Sequence, residues 1–428
     1  MITIISILFA SIFFCRNWIQ KLPHFRTICI HQNQTNYMYY FYKLKLLYNF
    51  SLFLKKSNLL YCGILLALFC TGCNGEKKGH VKNEATKIKI SFSAVKEMVM
   101  TDSIINNITP IKLEDNEDEV GTVTKLIVED NKFIIWDDAK KTIWIFSTGG
   151  KFLGRISHFG NGDGKYASIY NISYSAPNVV NVIDGVSRSI KSYSINGNFV
   201  SEEKTKGNVS DYLSFSNRKF LFYYFRFKKW NTYQFSVQEP DNSKIGFFEY
   251  QKPFLFVGHG GDYLLRNKDV VYLRRPYNDT IFSYQNKELK AKYIFDFGKN
   301  AYPTKEIYAV ETLKQVSDIL SKKEYEGNVS NFFISNSYIL LTFNKQKSAD
   351  ITSSSVLLRN LATGTTMTYR YLGGIKGEVT PNYPMATDGE SFYSYHNSSE
   401  FPDTNKIAKR TGPSLRSNPI IIKYNYKL

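Results

Sequence analysis

The sequence predicts an all-β fold, a β-propeller of four-stranded antiparallel blades. Three observations predict it. Aromatic residues make up 16% of the 428 residues, with 31 Tyr and 32 Phe, which favours pleated sheet over helix bundles. A segment within residues 125–156 recurs within 178–202 at a constant offset of 47, placing Asp137 on Asp184, Ile143 on Ile190, Phe146 on Tyr193, Gly150 on Gly197 and Phe152 on Phe199. The first copy divides into four short strands, 125–128, 133–136, 142–146 and 152–156, separated by the turn formers Asp130-Asn131, Asp137-Asp138 and Gly149-Gly150. Four strands in about 45 residues is the size of a propeller blade. A sandwich also has short strands, but not an ungapped repeat.

The N-terminus reads as an export signal. Lys55-Lys56 precedes the apolar run 59–69, which ends in Cys70-Thr71-Gly72-Cys73. The run is shorter than the ~20 residues a membrane-spanning helix needs. Its ending resembles a bacterial lipobox, with Cys70 where Leu is usual. That makes Cys73 the expected lipidation site, the first residue of the mature chain and its membrane anchor, with a cleaved, soluble secreted protein as the alternative. Asn74 after the cysteine points to the outer rather than the inner membrane. All five cysteines, Cys15, Cys29, Cys62, Cys70 and Cys73, lie in this first part. The thiol-free remainder excludes a disulfide framework, a Cys-based zinc site and a cysteine nucleophile, and suits an oxidising compartment. Residues 1–54, with a second apolar run at 2–14, read as an upstream extension or a mis-assigned start. Residues 55–72 are the signal, 73–85 a flexible polar tether, and 86–428 the propeller.

Later strand runs keep the rhythm. Segments 220–227 and 232–237 suit a third blade; 263–265, 270–273, 280–284 and 292–295 a fourth; 337–343 and 355–360 a fifth; 391–395 and 419–424 a sixth. From residue 86 onward the chain holds about seven units of 47 before loops are subtracted, so spacing leaves six and seven blades open. Ile307, Val310, Leu313, Val316, Ile319 and Leu320 recur at helical spacing across 304–323 after Pro303, predicting one amphipathic helix laid on the propeller. An open ring would leave two bare sheet edges. Strands from both chain ends, 87–92 and 111–113 with 420–426, are therefore expected to share the last blade.

Four segments together resemble the six-bladed β-propeller lipoproteins of Bacteroidetes, which are similar to NHL-repeat propellers. They are FSTGGKFLGRISHFGNGDGKYAS at 146–168, PYNDTIFSYQNKELKAKYIFDFGKNAYP at 276–303, the helix that follows, and SNPIIIKYNYKL at 417–428. Asp163 and Lys165 stand where the family has Pro and Glu. The resemblance implies six blades over 86–428, a lipid anchor and an envelope location. It brings no catalytic residues.

The chemistry-bearing residues are sparse. Residues 73–428 carry 48 basic against 37 acidic residues, scattered along the chain, which reads as a solvated surface rather than a nucleic-acid interface. Gly160-Asn161-Gly162-Asp163-Gly164 lacks the spacing and the following helix of a phosphate loop and reads as a turn between blades, as does Gly258-His259-Gly260-Gly261. His80, His158, His259 and His396 have no metal-ligand spacing. Asp137, Asp138 and Asp184 read as turn residues. The most suggestive feature is Arg226, Lys228, Lys229 and Trp230 beside Tyr223-Tyr224-Phe225, a basic and aromatic mixture able to stack on sugars or hold anions; the alternative is a strand of core aromatics and a basic turn. The expectation is an envelope-anchored, non-enzymatic propeller that binds a glycan, a peptide or a partner protein, with no cofactor, metal or nucleic acid. A lactonase-like hydrolase or lyase with a channel-centred site is one alternative, and a scaffold of an outer-membrane complex another.

Overall fold

A computed structural model of the chain describes residues 77–90, 94–115, 118–205, 207–223, 232–250, 262–347, 350–374, 380–397 and 418–428. Four strands come first: β1 (Lys77–Lys78), β2 (Val81–Lys89), β3 (Lys96–Met100) and, after the helical turn α1 (Thr101–Ile104), β4 (Ile105–Lys112). Blade 1 is β5 (Val123–Glu129), β6 (Lys132–Asp137), β7 (Thr142–Ser147) and β8 (Phe152–Ile156). Blade 2 is β9 (Asn171–Ser175), β10 (Val179–Asp184), β11 (Ser189–Ser194) and β12 (Phe199–Lys204). Blade 3 is β13 (Val209–Phe215), β14 (Arg218–Tyr223), β15 (Tyr233–Gln238) and β16 (Lys244–Glu249). Blade 4 is β17 (Leu264–Asn267), β18 (Val270–Arg274), β19 (Thr280–Gln285) and β20 (Glu288–Asp296). Blade 5 is β21 (Tyr325–Ile334), β22 (Tyr338–Lys347), β23 (Asp350–Asn360) and β24 (Thr366–Gly373). Blade 6 takes β25 (Ala386–Thr387), β26 (Phe392–His396) and β27 (Ile420–Tyr426) from the C-terminal end and closes on β4, Ile421 pairing with Ile111. The result is a six-bladed β-propeller in which both chain ends share the last blade.

The central strands of the blades are buried on both faces: in blade 1 they run almost continuously apolar, while blades 2 and 3 also enclose Asn181, Lys191 and Gln234 there. In β6, Phe133 and Ile135 pack with Tyr393 and Ile421 of blade 6, while Ile134 packs with Ile172, Val180 and Val182 of blade 2. Each such fully enclosed side chain is worth ~1.5–3 kcal/mol relative to exposure, and this packing between blades holds the ring.

The repeat seen in the sequence is a repeat of roles. Asp137 Oδ2 accepts from Gly121 N at 2.7 Å, and its Oδ1 from Thr122 N and Lys140 N at 3.2 Å each. Asp184 accepts from Ala167 N at 3.0 Å, Ser168 N at 3.2 Å and Ser187 N at 3.3 Å. Each carboxylate thus fastens the chain entering its blade to the turn after the second strand. Burial pushes the Asp184 carboxyl up, but the donors from Ser187, Ala167 and Ser168 outweigh it and hold the group below its ordinary value. Gly150 and Gly197 match as well, with φ of 88° and 87°. A Cβ on Gly150 would sit 2.1 Å from the Lys112 carbonyl oxygen, and one on Gly197 2.5 Å from that of Arg155, each on the outer strand of the preceding blade. Gly150→Ala and Gly197→Ala are each expected to destabilise by ~2–4 kcal/mol, from backbone strain plus the clash. Gly149→Ala, whose Cβ would meet only Ser147 Oγ at 3.7 Å, should be nearly neutral when the three variants are compared by urea titration.

Three expectations are corrected. First, the stretch read as a tether through residue 85 is strand from Lys77 onward: β1 runs parallel to β16, and β2 parallel to β20. Second, residues 87–89 belong to β2 and so widen blade 4 rather than closing blade 6, which leaves β4 alone as the N-terminal closing strand. With β3 parallel to β24, the N-terminal chain forms a belt that adds a fifth, outermost strand to blades 3, 4 and 5 in turn. The belt joins by backbone pairing: seven of the nine β2 residues are exposed, so polarity concealed it. Third, the helix at 304–323 is two, α2 (Thr304–Ala309) and α3 (Leu313–Leu320). Val310 is extended, and Thr312 starts α3 afresh with a capping box, its side chain accepting from Gln315 N while the Gln315 side chain accepts from Thr312 N. Ile307, Val316, Ile319 and Leu320 pack on Tyr250, Tyr277, Tyr302 and Tyr325. These helices link the outer strand of blade 4 to the inner strand of blade 5, on the face where inner strands begin.

Candidate functional site: the axial channel

The inner strands β5, β9, β13, β17, β21 and β25 line a cavity of about 570 Å³, running from Lys125, Asp211 and Asp262 to Asp130, Asn131, Lys268 and Glu390. A volume of this size lies in the ~300–1,000 Å³ range of ligand sites. Its floor is where the inner strands begin, and its mouth is where they end, on the face opposite α2 and α3.

The floor is a polar knot across five blades. Lys125 Nζ (blade 1) donates to Asn171 Oδ1 at 2.8 Å and Ile172 O at 2.9 Å (blade 2), and to Asp262 Oδ1 at 2.6 Å at the entry to blade 4. Asn171 Nδ2 donates to Asp211 Oδ1 of blade 3 at 3.1 Å. Asp211 Oδ1 also accepts from Tyr212 N at 2.9 Å, and its Oδ2 from Tyr263 N and Leu264 N at 2.8 Å each. Arg274, stacked 4.5 Å over the Tyr263 ring, donates to Asp262 O at 2.6 Å and to Val329 O of blade 5 at 2.8 Å. The chemistry follows from this geometry. Burial pushes Asp211 up to about 6, against the opposing pull of Lys125 and the Leu264 and Tyr263 amides. A carboxyl near neutrality in a channel invites a general-base role. Yet its two oxygens already accept four hydrogen bonds, and the three protons of Lys125 all have acceptors, so these groups fasten blades rather than meet a substrate.

The mouth is looser. Glu129 pairs with Arg266 at 2.6 Å, and Arg266 lies 4.2 Å over the Phe215 ring. Burial raises the Glu129 carboxyl, with Arg266 opposing. Tyr174 donates to Asp130 Oδ2 at 2.8 Å, and burial, followed by that bond, pushes its phenol up to about 12. Asn336 N donates to Gly389 O at 2.7 Å, tying blade 5 to blade 6 at the rim. Lys268, Asp388 and Glu390 stand exposed there. The lining holds six acidic residues against three basic ones, in a chain that is basic as a whole.

Of the residues singled out from sequence, Arg226, Lys228, Lys229 and Trp230, in the segment between β14 and β15, are outside the described residues, and so are Cys73, ahead of β1, and His259, between β16 and β17. His158 bonds the Gly197 carbonyl at 2.7 Å and stacks on Tyr193, while His396 bonds the Thr380 carbonyl at 2.8 Å, so the two do not converge. The glycine loop closes on itself, Tyr166 N donating to His158 O and Gly160 N to Tyr166 O, both at 3.0 Å. The channel knot was missed. Its signal is a polar residue before an apolar one at the start of successive inner strands: Lys125-Leu126, Asn171-Ile172, and the repeated Asp-Tyr-Leu of 211–213 and 262–264.

The model of a family described as Domain of unknown function (DUF4934) matches residues 86–425. No curated protein matches the chain. Among solved structures, a Bacteroides fragilis protein described as exported is similar at 17% identity and a TM-score of 0.59, over 80% of this chain and 100% of that one. A member of the DUF4221 family from Bacteroides vulgatus is similar at 11% identity and a TM-score of 0.50, over 76% of this chain and 97% of that one. These likenesses are of fold.

Proposed function

The chain belongs to the DUF4934 family, and from that premise and the channel geometry we propose an envelope lipoprotein, anchored through Cys73, whose propeller binds a polar glycan or peptide segment at the channel mouth without chemical turnover. The observation that carries the binding role is the cavity of about 570 Å³ with a saturated floor and a rim at which Lys268 and Glu390 are exposed. The groups best placed for acid–base work are consumed by contacts between blades, whereas Lys268 and Glu390 at the rim are open to solvent. The anchoring rests on the Lys55–Cys73 signal and the thiol-free body, and the exported character of the Bacteroides fragilis protein of the same fold agrees with it.

The test is a thermal-shift series on the mature protein with envelope oligosaccharides and peptides. A ligand at a hundredfold excess over its Kd stabilises the folded state by ~2.7 kcal/mol. One ligand class should raise the Tm, and Lys268→Ala and Glu390→Ala should abolish that rise while leaving the ligand-free Tm unchanged. No rise with either class would overturn the channel reading in favour of a protein partner, recoverable by pull-down from membranes. Turnover of a bound compound would overturn the non-enzymatic part.

A further inference from the structure

We propose that the belt fixes how the propeller meets the membrane: the rim of blades 3 and 4 lies against the lipid headgroups, and blade 1 points away. The inference rests on lipidation of Cys73. Two independent observations carry it.

The first is length. Lys77 and Lys78 are already paired with Ile245 and Gly246 on the outer strand of blade 3, and Gly79 N donates to Gly246 O at 2.7 Å. The acylated residue therefore stands only four residues ahead of a strand that is part of the fold. Four residues reach at most ~14 Å. A lipid held in the bilayer at that distance brings the blade 3 rim to the headgroups.

The second is charge. The strands at that rim, β1, β2, β16 and β20, carry eight lysines against four acids. Lys78, Lys82, Lys87 and Lys290 pair with Glu249, Glu288, Asp296 and Glu84, while Lys77, Lys89, Lys244 and Lys292 add positive charge without an acidic partner among the ion pairs of the described residues. The outer strands of blades 1 and 2, β8 and β12, carry two basic against two acidic residues. Anionic headgroups attract the first rim and are indifferent to the second. The propeller then stands on edge, so that neither face of the ring is pressed on the bilayer.

The thiol-free body makes this measurable. In the lipidated protein the Cys73 sulfur is blocked, so a fluorophore can be placed at Asn83→Cys on the exposed side of β2, or at Leu153→Cys across the ring on β8. Each labelled protein is inserted into phosphatidylcholine–phosphatidylglycerol vesicles containing a nitroxide-headgroup lipid. Quenching should be several-fold stronger at Asn83→Cys than at Leu153→Cys. A long Gly-Ser insertion between Asn74 and Lys77 should shrink that ratio. Equal quenching at the two sites, or stronger quenching at Leu153→Cys, overturns the orientation, as does a ratio that the insertion leaves unchanged. The mass of the N-terminal peptide separates the two levels. An unacylated Cys73 defeats the anchoring itself, whereas an acylated Cys73 with equal quenching defeats the orientation alone.

Discussion

Asp211→Ala lowers the stability of the folded chain by ~3–5 kcal/mol, the scale for removing a buried charge whose hydrogen-bonding partners stay behind. Four donors lose their acceptor at once: Asn171 Nδ2 and the amides of Tyr212, Tyr263 and Leu264. These donors come from blades 2, 3 and 4, so the loss falls on the contacts between blades. Asp211→Asn is expected to cost ~2 kcal/mol, because whichever way the amide turns its NH2 group faces donors. A change below ~1 kcal/mol for Asp211→Ala in urea denaturation would show that the knot does not hold the ring. The pH dependence has a definite sign. Burial raises Asp211 to about 6 in the folded chain, above the ~3.9 of an unfolded aspartate. The folded state therefore binds the additional proton between about pH 4 and pH 6, and stability from this group rises as pH falls through that window. Asp211→Asn has no such titration, so the gap between wild type and Asp211→Asn should widen from pH 7 to pH 4.

Deleting residues 419–428 should abolish cooperative folding. β27 lies between β26 and β4, and Ile421, Ile422 and Tyr424 are fully buried. Without it β4 has no partner strand among the described residues, and the clusters that pack blade 6 against blades 1 and 5 lose their centre. A single large-to-small change here, Tyr424→Ala, should already cost ~3–5 kcal/mol. Removing only Lys427 and Leu428 forfeits three hydrogen bonds at the end of the strand and should cost ~1–3 kcal/mol. Near-ultraviolet circular dichroism and thermal melting separate these cases. A sharp transition in the 419–428 deletion would mean that five blades and β4 hold a ring without closure.

The architecture was legible where blades are of equal length and their turns do chemical work. Blades 1 and 2 repeat at 47 because Asp137 with Asp184, and Gly150 with Gly197, each answer the same backbone demand. From blade 3 onward insertions stretch the spacing, and only apolar runs mark the strands. The belt was legible only from residue 87, where a strand was read but given to the last blade instead of blade 4, and upstream of that it was illegible for a different reason. A strand added at an outer edge pairs through its backbone while its side chains stay in water, so Val81–Lys89 shows no apolar alternation of the kind that betrays a half-buried strand. The channel knot was illegible because one polar residue at the head of an apolar strand looks like a surface position. Lys125, Asn171 and Asp211 become a group only when the ring brings the heads of successive inner strands together.

The belt also sets an order of events. Lys82 meets a partner 206 residues further along, and Glu97 one 273 residues on. Pairings of such long sequence separation are slow to form, because the loop must close before the contact repays it, so these early strands wait unpaired while the blades they join are built. Through that interval β2 is a bare edge, the kind of segment that pairs wrongly with a neighbouring chain. Its three lysines and one glutamate stay in water in the finished fold, and charges of this kind on an exposed edge oppose pairing with another chain until blade 4 is in place. The first strands to be made are thus among the last to find their partners, and the charge that made them look like a tether protects the chain while they wait.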